Sequence, residues 1–398
     1  MSSVTSMLRP FDTLRDDEVV RRILALAFGG TPEGMGAYFD LAGRENMRLL
    51  DRGDGPVVAC LANIPMGQYF GGRSVPMMGI AAVGVAPEAR ARGHARELMC
   101  ASVRETAAAG IPLSCLYAST QSLYRQVGFE QAGSTFEVRI PLRQLTDGTR
   151  DLPVEPVTID DPRLERCYRE FARRYDGCLD RGPFIWKRIQ QNREQMFHGF
   201  AVVPDGPGSP VEGYAFVGQV RRPENGRHDV VLSDLAFSTQ RAGLRLAGFL
   251  GDYASMGWNL SFIGGACHPF LTLLSQQWVD VSMRDYWMLR ICDVGAAIAA
   301  RGYASSVRAN VVIEVDDELI EANRGRWQIE IDDGQGRAAR TNLAAQLRTN
   351  IRGLAAIYAG FLTPQQAALV GLAEGDTDAM ATLAPAFTNS GPWMVDHF

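Results

Sequence analysis

Val83-Gly84-Val85-Ala86-Pro87-Glu88-Ala89-Arg90-Ala91-Arg92-Gly93-His94-Ala95 joins the end of an apolar run to the start of a helical pattern. It contains Arg90-x-x-Gly93-x-Ala95 at the junction. A loop that opens a helix points several unpaired N–H groups in one direction, and the helix dipole adds partial positive charge there. Gly93 lets the backbone approach a ligand closely, and Arg90, Arg92 and Arg96 can add bidentate contacts to phosphate. Chemically the loop suits a pyrophosphate. The same residues also suit an ordinary strand-to-helix turn with surface arginines, so the flanking sequence has to arbitrate.

Working outward, Asp16 to Phe28 reads as a helix, with Val19, Val20, Ile23, Leu24 and Ala27 at helical spacing. Val57 to Met66 and Met77 to Val85 read as strands around a Gly71-Gly72 turn. A helix is expected from His94 to Ala109, stopped by Gly110 and Pro112. Leu113 to Tyr117 is a short buried strand, Ser122 to Val127 a short helix before Gly128, and Thr135 to Ile140 another strand. This order implies a mixed α/β domain with one parallel strand pair connected by a helix. Downstream lies Leu123-Tyr124-Arg125-Gln126-Val127-Gly128-Phe129. On its own, Tyr124 reads as a tyrosine with its ring in the core and its hydroxyl in water.

Leu142 to Pro162, with Pro153, Pro156 and Pro162, reads as a linker. Beyond it, helices at Arg163–Arg174 and Phe184–Gln195, strands at Gly199–Val203, Val211–Val220 and Val230–Phe237, a helix at Arg241–Tyr253 and a strand near Leu260–Ile263 repeat the order of the first segment. Ser238 to Gly243 takes the place of the glycine loop, but matches it only in part and has no late tyrosine piece behind it. A third segment starts near Trp287, with helices at Asp293–Ala300, Ile351–Tyr358, Pro364–Leu369 and Thr377–Ala384, and strands at Asn310–Val315 and Arg326–Ile331. Ile351–Tyr358 could line a lipid tunnel, although a core-facing helix is the plainer expectation. The chain closes on Trp393-Met394-Val395-Asp396-His397-Phe398, an apolar ending where solvated tails are normally polar, so it is expected to pack. The domain division is 1–145, 146–286 and 287–398.

Composition excludes other classes. The 398 residues are 46% hydrophobic and 21% charged, with a net charge of −5, so no nucleic-acid surface is expected. No apolar run approaches the roughly 18 residues of a membrane span, and the N-terminus, Met1 to Asp16, lacks the pattern of a secretory signal. Seven scattered cysteines without C-x-x-C suit reduced, buried thiols in the cytoplasm. The five histidines have no zinc spacing, so no metal site is expected.

The stretch from Val83 to Ala95 resembles motif A of the GNAT acetyltransferases, and Leu123 to Phe129 resembles their late tyrosine motif. The whole chain resembles the enhanced intracellular survival (Eis) branch. The resemblance is carried also by Pro65-Met66-Gly67, Gly79 to Pro87, Leu116 to Phe129, Trp287-Met288-Leu289-Arg290-Ile291, Ala300-Arg301-Gly302-Tyr303 and the terminal Phe398. It implies tandem GNAT folds, the second degenerate, followed by an α+β domain like sterol carrier protein. It implies acetyl-CoA as cosubstrate, with the backbone of Val83, Gly84 and Val85 on the pantetheine arm and Arg90, Ala91, Arg92, Gly93, His94 and Ala95 around the pyrophosphate. Ser119 resembles a family residue near the thioester. Tyr124 would be the general acid, and the α-carboxylate of Phe398 would accept the proton of the attacking amine. An α-carboxylate has a pKa of about 3.3–3.7, which burial raises toward a better base. The implied activity is transfer of acetyl to a primary amine of aminoglycoside, polyamine or lysine type, by a homo-oligomer that in the family is commonly a hexamer. The rival is a non-catalytic acyl-CoA- or lipid-binding protein. Coarse placement puts Phe28, Tyr38, Phe39 and Met66 at the amine pocket, with Asp396 and His397 flanking the base.

Overall fold

The computed structural model describes residues 7–51, 55–145, 147–192, 195–223, 226–388 and 390–398. They form two compact units. The first comprises residues up to Ala132, Tyr286–Gly391 and Phe398; the second comprises Gly133–Asp285 and Pro392–His397. Among the described residues no helix is long and apolar enough to cross a membrane.

The first unit begins with β1 (Met7–Pro10), α1 (Thr13–Phe28), α2 (Pro32–Ala42), β2 (Met47–Asp51), β3 (Val57–Phe70) and β4 (Arg73–Val85). Asp12 caps α1 by accepting from Leu14 N, and Gly29 ends it with φ 71°, a left-handed turn that costs glycine nothing. Val20, Ile23 and Leu24 form the buried stripe of α1. Then follow α3 (His94–Ala108), β5 (Leu113–Tyr117), α4 (Gln121–Arg125) and β6 (Glu130–Pro141). β1 to β4 pair antiparallel in chain order. β4 and β5, joined through α3, are parallel, as expected of the helix-connected pair. β5 then pairs antiparallel with Trp287–Ile291 of a much later strand, β15 (Asp280–Ile291). The boundary expected at Trp287 therefore falls inside a strand of the first unit's sheet.

The second unit holds β7 (Val154–Val157), α5 (Pro162–Ala172), the two-residue strands β8 (Leu179–Asp180), β9 (Gln191–Asn192) and β10 (Gln195–Met196), and α6 (Pro183–Gln190). It continues with β11 (His198–Val202), β12 (Gly213–Arg221), β13 (His228–Phe237), α7 (Gln240–Gly251) and β14 (Gly257–Gly264). β7, β11, β12 and β13 are antiparallel neighbours, β13 and β14 are parallel, and β14 closes antiparallel on Phe136–Pro141 of β6. The order of pairings matches the first unit. Leu142–Pro162 is more than a linker. Leu142 and Leu145 are buried, and Val154–Val157 is an edge strand on β11, the position that tolerates Pro156; residue 146 lies outside the described residues. The helix expected over Phe184–Gln195 ends at Gln190, and residues 193–194 also lie outside the described residues.

The remainder of the first unit has α8 (Val294–Ala300), β16 (Ala309–Asp316), β17 (Gly325–Asp332), β18 (Gln335–Arg340), β19 (Leu347–Asn350), α9 (Ile351–Ala359), α10 (Pro364–Leu369), β20 (Ala373–Gly375) and α11 (Thr377–Phe387). A sheet in the order β18-β17-β16-β19-β20 backs these helices. All of α9 except Arg352 is buried, as expected of a core helix. The seven cysteines are unpaired; Cys267 is exposed and Cys100 partly so, which corrects the expectation that all are buried.

Candidate active site

Two irregularities in β4 create an opening in the first sheet. Cys60 faces Gly84 and Ala62 faces Ala81, so Leu61 opposes both Ala82 and Val83. This is a β-bulge, and Ala82 sits in it at φ 52°. On the other side, the pairing of β4 with β5 covers Met77 to Gly79 only, against Leu113 to Cys115. Ser114 Oγ donates to Met78 O at 3.0 Å just before the strands part. Beyond Gly79 the β5-facing edge of β4, which includes the half-buried Val83 and Val85, has no ladder partner on β5. A bulge at a strand's end and a parted parallel pair expose backbone N–H and C=O groups to a ligand. Gly84 has a second duty: a Cβ there would lie 3.0 Å from both Ile23 Cγ2 and Leu24 Cδ2 of α1.

The loop from Val85 to α3 contains a short 3₁₀ turn at Pro87–Ala89. Ala91 at φ 59° and Gly93 at φ 84° then turn the chain into α3. Gly93 is the N-cap and supplies no side-chain acceptor. The first-turn amides of α3, including those of His94 and Ala95, are therefore open at the positive end of a 15-residue helix. Arg90 and Arg92 are exposed beside it. Arg90 leans back, its Nε 3.5 Å from Val85 O. The His94 side chain is buried, with Nδ1 3.5 Å from Glu97 Oε2. This donor set fits a pyrophosphate group joined to an extended, amide-bearing arm.

Tyr124 is on α4, 4% exposed, with its ring edge-on to Phe129 at 6.3 Å. Burial pushes its phenol up, and a hydrogen bond with the Ser119 side chain pulls the other way; the net direction is up. The turn behind Tyr124 is fixed by Gly128 at φ 89° and by Arg290, whose Nε donates to Val127 O at 3.0 Å. The Arg290 guanidinium, fully buried, is held by both oxygens of Asp317 at 2.7 and 2.8 Å. Arg290 lies in a stretch that carries the family resemblance, but its role here and that of Asp317 are not legible in the sequence.

Phe398 is buried, 7% exposed. Its ring meets Tyr117 edge-on at 5.8 Å. A Cβ on Gly79 would lie 2.9 Å from Phe398 Cε2 and 2.7 Å from Met66 Cε. Phe398, Met66 and Tyr117 thus gather over the residue at which β4 and β5 part. The other expected pocket residues lie on α1, on α2 and in the tail. Phe39 is a core residue, fully buried against Phe11 and under Arg44, because it lies on the inner face of α2. Phe28 is 58% exposed at the end of α1. Tyr38 is half-buried beside Phe39. Asp396 and His397 belong to the second unit. The Ala82 bulge and the roles of Gly79 and Tyr117 were not read from sequence; the signal was the run Gly79-Ile80-Ala81-Ala82, where small residues interrupt a β-branched strand.

Family models match in three blocks: an acetyltransferase (GNAT) domain over residues 13–132, a second over 177–291, and a sterol carrier protein domain over 294–395. An uncharacterized N-acetyltransferase of Streptomyces coelicolor is 29% identical over 94% of this chain and 95% of its own. The N-acetyltransferase Eis of Mycobacterium tuberculosis is 28% identical over 80% of this chain and 79% of its own. A crystal structure of a GCN5-related N-acetyltransferase from Anabaena variabilis is 30% identical, covers 99% of this chain and 100% of that one, and superposes with a TM-score of 0.93. Fold and site therefore define an enzyme, an N-acetyltransferase of GNAT type with two such domains and a sterol-carrier-like third. Within that class the chain belongs to the Eis family.

Proposed function

We propose that this enzyme transfers the acetyl group of acetyl-CoA to a primary amine of aminoglycoside, polyamine or lysine type, by direct attack in a ternary complex. The observation that carries the reading is the burial of Phe398 over Gly79 and against Tyr117, at the parting of β4 and β5. Acetyl-CoA supplies the activated thioester. The free edge of Val83–Val85 holds its amide arm, and the amides of Arg90 to Ala95, with the Arg90 and Arg92 side chains, hold its pyrophosphate. Holding amine and thioester together supplies much of the acceleration. The α-carboxylate of Phe398 takes a proton from the amine, directly or through water. Tyr124, kept protonated by burial and oriented by Ser119, delivers a proton to the departing sulfur. Met66, beside Phe398, borders the amine's approach, and Tyr38 and Phe28 are further candidates for the amine pocket.

The division into 1–145, 146–286 and 287–398 stands as our proposal for the inherited modules, as do a cytoplasmic setting and a homo-oligomer, a hexamer in particular. The non-catalytic lipid-binding alternative is not favoured.

The test is thiol release from acetyl-CoA with a panel of polyamines, aminoglycosides and lysine peptides, run on the wild type and on a variant extended by a few residues beyond Phe398. Release with at least one amine, lost in the extended variant while acetyl-CoA binding persists, supports the reading. Full activity with an extended tail refutes the role of Phe398.

A further inference from the structure

Tyr124 stands on a helix too short to hold its own place. α4 runs for five residues, Gln121–Arg125, and Thr120 at its N-cap gives it no side-chain hydrogen bond. So short a helix is not stable by itself, and its order has to come from tertiary contacts. Apolar packing supplies part of them, through the Tyr124 ring on Phe129. On another side a cavity of about 210 Å³ separates Arg125–Gly128 from Asp316–Leu319 and Asn350–Arg352. Arg125 and Arg352, from the two walls of that cavity, meet on one carboxylate, that of Glu130.

Glu130, the first residue of β6, is 3% exposed. Its Oε1 accepts from Arg125 Nε and Nη2 at 2.9 and 2.7 Å, and its Oε2 from Arg352 Nε and Nη2 at 2.9 and 2.5 Å. Gln131 N donates to Oε1 at 3.1 Å. Burial pushes the carboxyl up, but the Arg125 and Arg352 guanidinium groups more than offset it and leave the net direction down. Arg352 is placed by α9: every other residue of that helix is buried, and Asn350 caps it by accepting from Gly353 N at 2.9 Å. The second brace on this turn is the Arg290 guanidinium on Val127 O. Its partner Asp317 is fixed in turn by Asn323 Nδ2 at 3.0 Å and by the amides of Leu319 and Ile320 at 3.0 and 3.1 Å. The braces grip Arg125 and Val127 directly after Tyr124, whose carbonyl oxygen accepts from Val127 N and Phe129 N, both at 3.1 Å. All of these residues belong to the first unit.

We propose that Glu130 and Arg352 are positioning residues for the acetyl transfer: the Arg125–Glu130–Arg352 bridge ties α4 to the first turn of α9 and so fixes where the Tyr124 hydroxyl stands. The inference rests on the reading of Tyr124 as the acid. A carboxylate shared by two guanidinium forks accepts few geometries, where apolar contact tolerates many. A proton donor needs that order, because it works only within hydrogen-bond reach and a misplacement of about 1 Å costs up to about 10²-fold. Both guanidinium groups are half-buried, so the bridge contributes more to order than to stability. Neither Glu130 nor Arg352 is asked to touch substrate.

The test uses the full-length protein with Arg352→Met, which keeps the length of the side chain and leaves Glu130 paired with Arg125. Steady-state kinetics are compared for wild type, Arg352→Met, Tyr124→Phe and the double variant, with an amine that releases thiol in the panel of polyamines, aminoglycosides and lysine peptides. Arg352→Met is expected to lower kcat by about ten-fold with KM for acetyl-CoA within about two-fold, and to change kcat by less than about two-fold once Tyr124→Phe is present. Arg352→Lys, which returns a charge to Glu130, is expected to recover kcat to within about three-fold of wild type. A merely structural role would slow both backgrounds alike. An equal loss in both backgrounds, or a wild-type kcat for Arg352→Met, overturns the proposal. Should Arg352→Met not accumulate as folded protein, Glu130→Gln takes its place in the same cycle. Hydrogen exchange at the amides of Val127 and Phe129 needs no substrate and is expected to quicken by about ten-fold in Arg352→Met. Unchanged exchange overturns the bridge. Tyr124→Phe with a wild-type kcat overturns the acid reading, and the inference with it, while the exchange rates separately report whether the bridge orders α4.

Discussion

Gly79 and Phe398 are in contact: a Cβ built on Gly79 lies 2.9 Å from Phe398 Cε2 and 3.2 Å from its Cδ2. The terminal ring has room only because residue 79 has no side chain. Gly79 is also the last residue of β4 paired with β5.

Gly79→Ala is therefore expected to displace the terminal ring while leaving the sheet paired. A shift near 1 Å in a group that must face the amine lowers kcat by about 10–100-fold. Steady-state kinetics, with thermal unfolding as the control, check this; an unchanged kcat would remove the terminal residue from the chemistry.

Tyr124→Phe deletes the proposed proton donor and keeps the ring against Phe129. It is expected to lower kcat by about 10²–10⁴-fold with little change in acetyl-CoA affinity. Burial raises the phenol, so the alkaline limb of kcat/KM is expected above the range of a free tyrosine. Ser119→Ala removes the hydrogen bond that opposes the rise, and the limb moves further up. A limb that ignores both substitutions would exclude Tyr124 as the titrating acid.

Gly128→Ala meets two obstacles. Its φ is 89°, and its Cβ would lie 2.5 Å from Arg290 Nε, a group that Asp317 holds from the far side. The strain costs at least about 2 kcal/mol. Chemical denaturation measures it, and activity is expected to fall as well, because Gly128 closes the turn behind Tyr124.

His268 makes the second unit acid-sensitive. Burial among Phe171, Phe262 and Trp393 lowers its pKa to about 3, and its Nδ1 accepts from Phe270 N at 3.3 Å. Between the ordinary imidazole value of 6.5 and about 3 the unfolded chain binds a proton that the folded chain refuses. Stability is thus lost as pH falls through that window. From pH 7 to pH 5 this one group contributes a loss of about 2 kcal/mol. His268→Asn, which preserves an acceptor for Phe270 N, is expected to flatten that part of the stability–pH curve; an unaltered slope would assign the acid sensitivity elsewhere.

Local pattern carried much of this molecule. The helix at His94 and the strand Leu113–Tyr117 begin where spacing, glycine and proline said they would, because caps and apolar periodicity are short-range properties. Arg90, Gly93 and Tyr124, on which the proposed function relies, could be singled out because each stands in a short run of neighbours that resembles a family motif. The buried, apolar ending was legible from Trp393, Val395 and Phe398 alone.

Pairings between distant segments were not legible. That β15 completes the first sheet and β6 the second depends on which exposed edge each strand meets, and an edge has no composition of its own. The Ala82 bulge, the halt of β4–β5 pairing at Gly79, and the meeting of Arg181 with Asp234 and Asp396 arise from backbone register and from burial. Short-range sterics and periodicity are written residue by residue and can be read that way. Contacts formed by closing long loops exist only once the whole chain has packed.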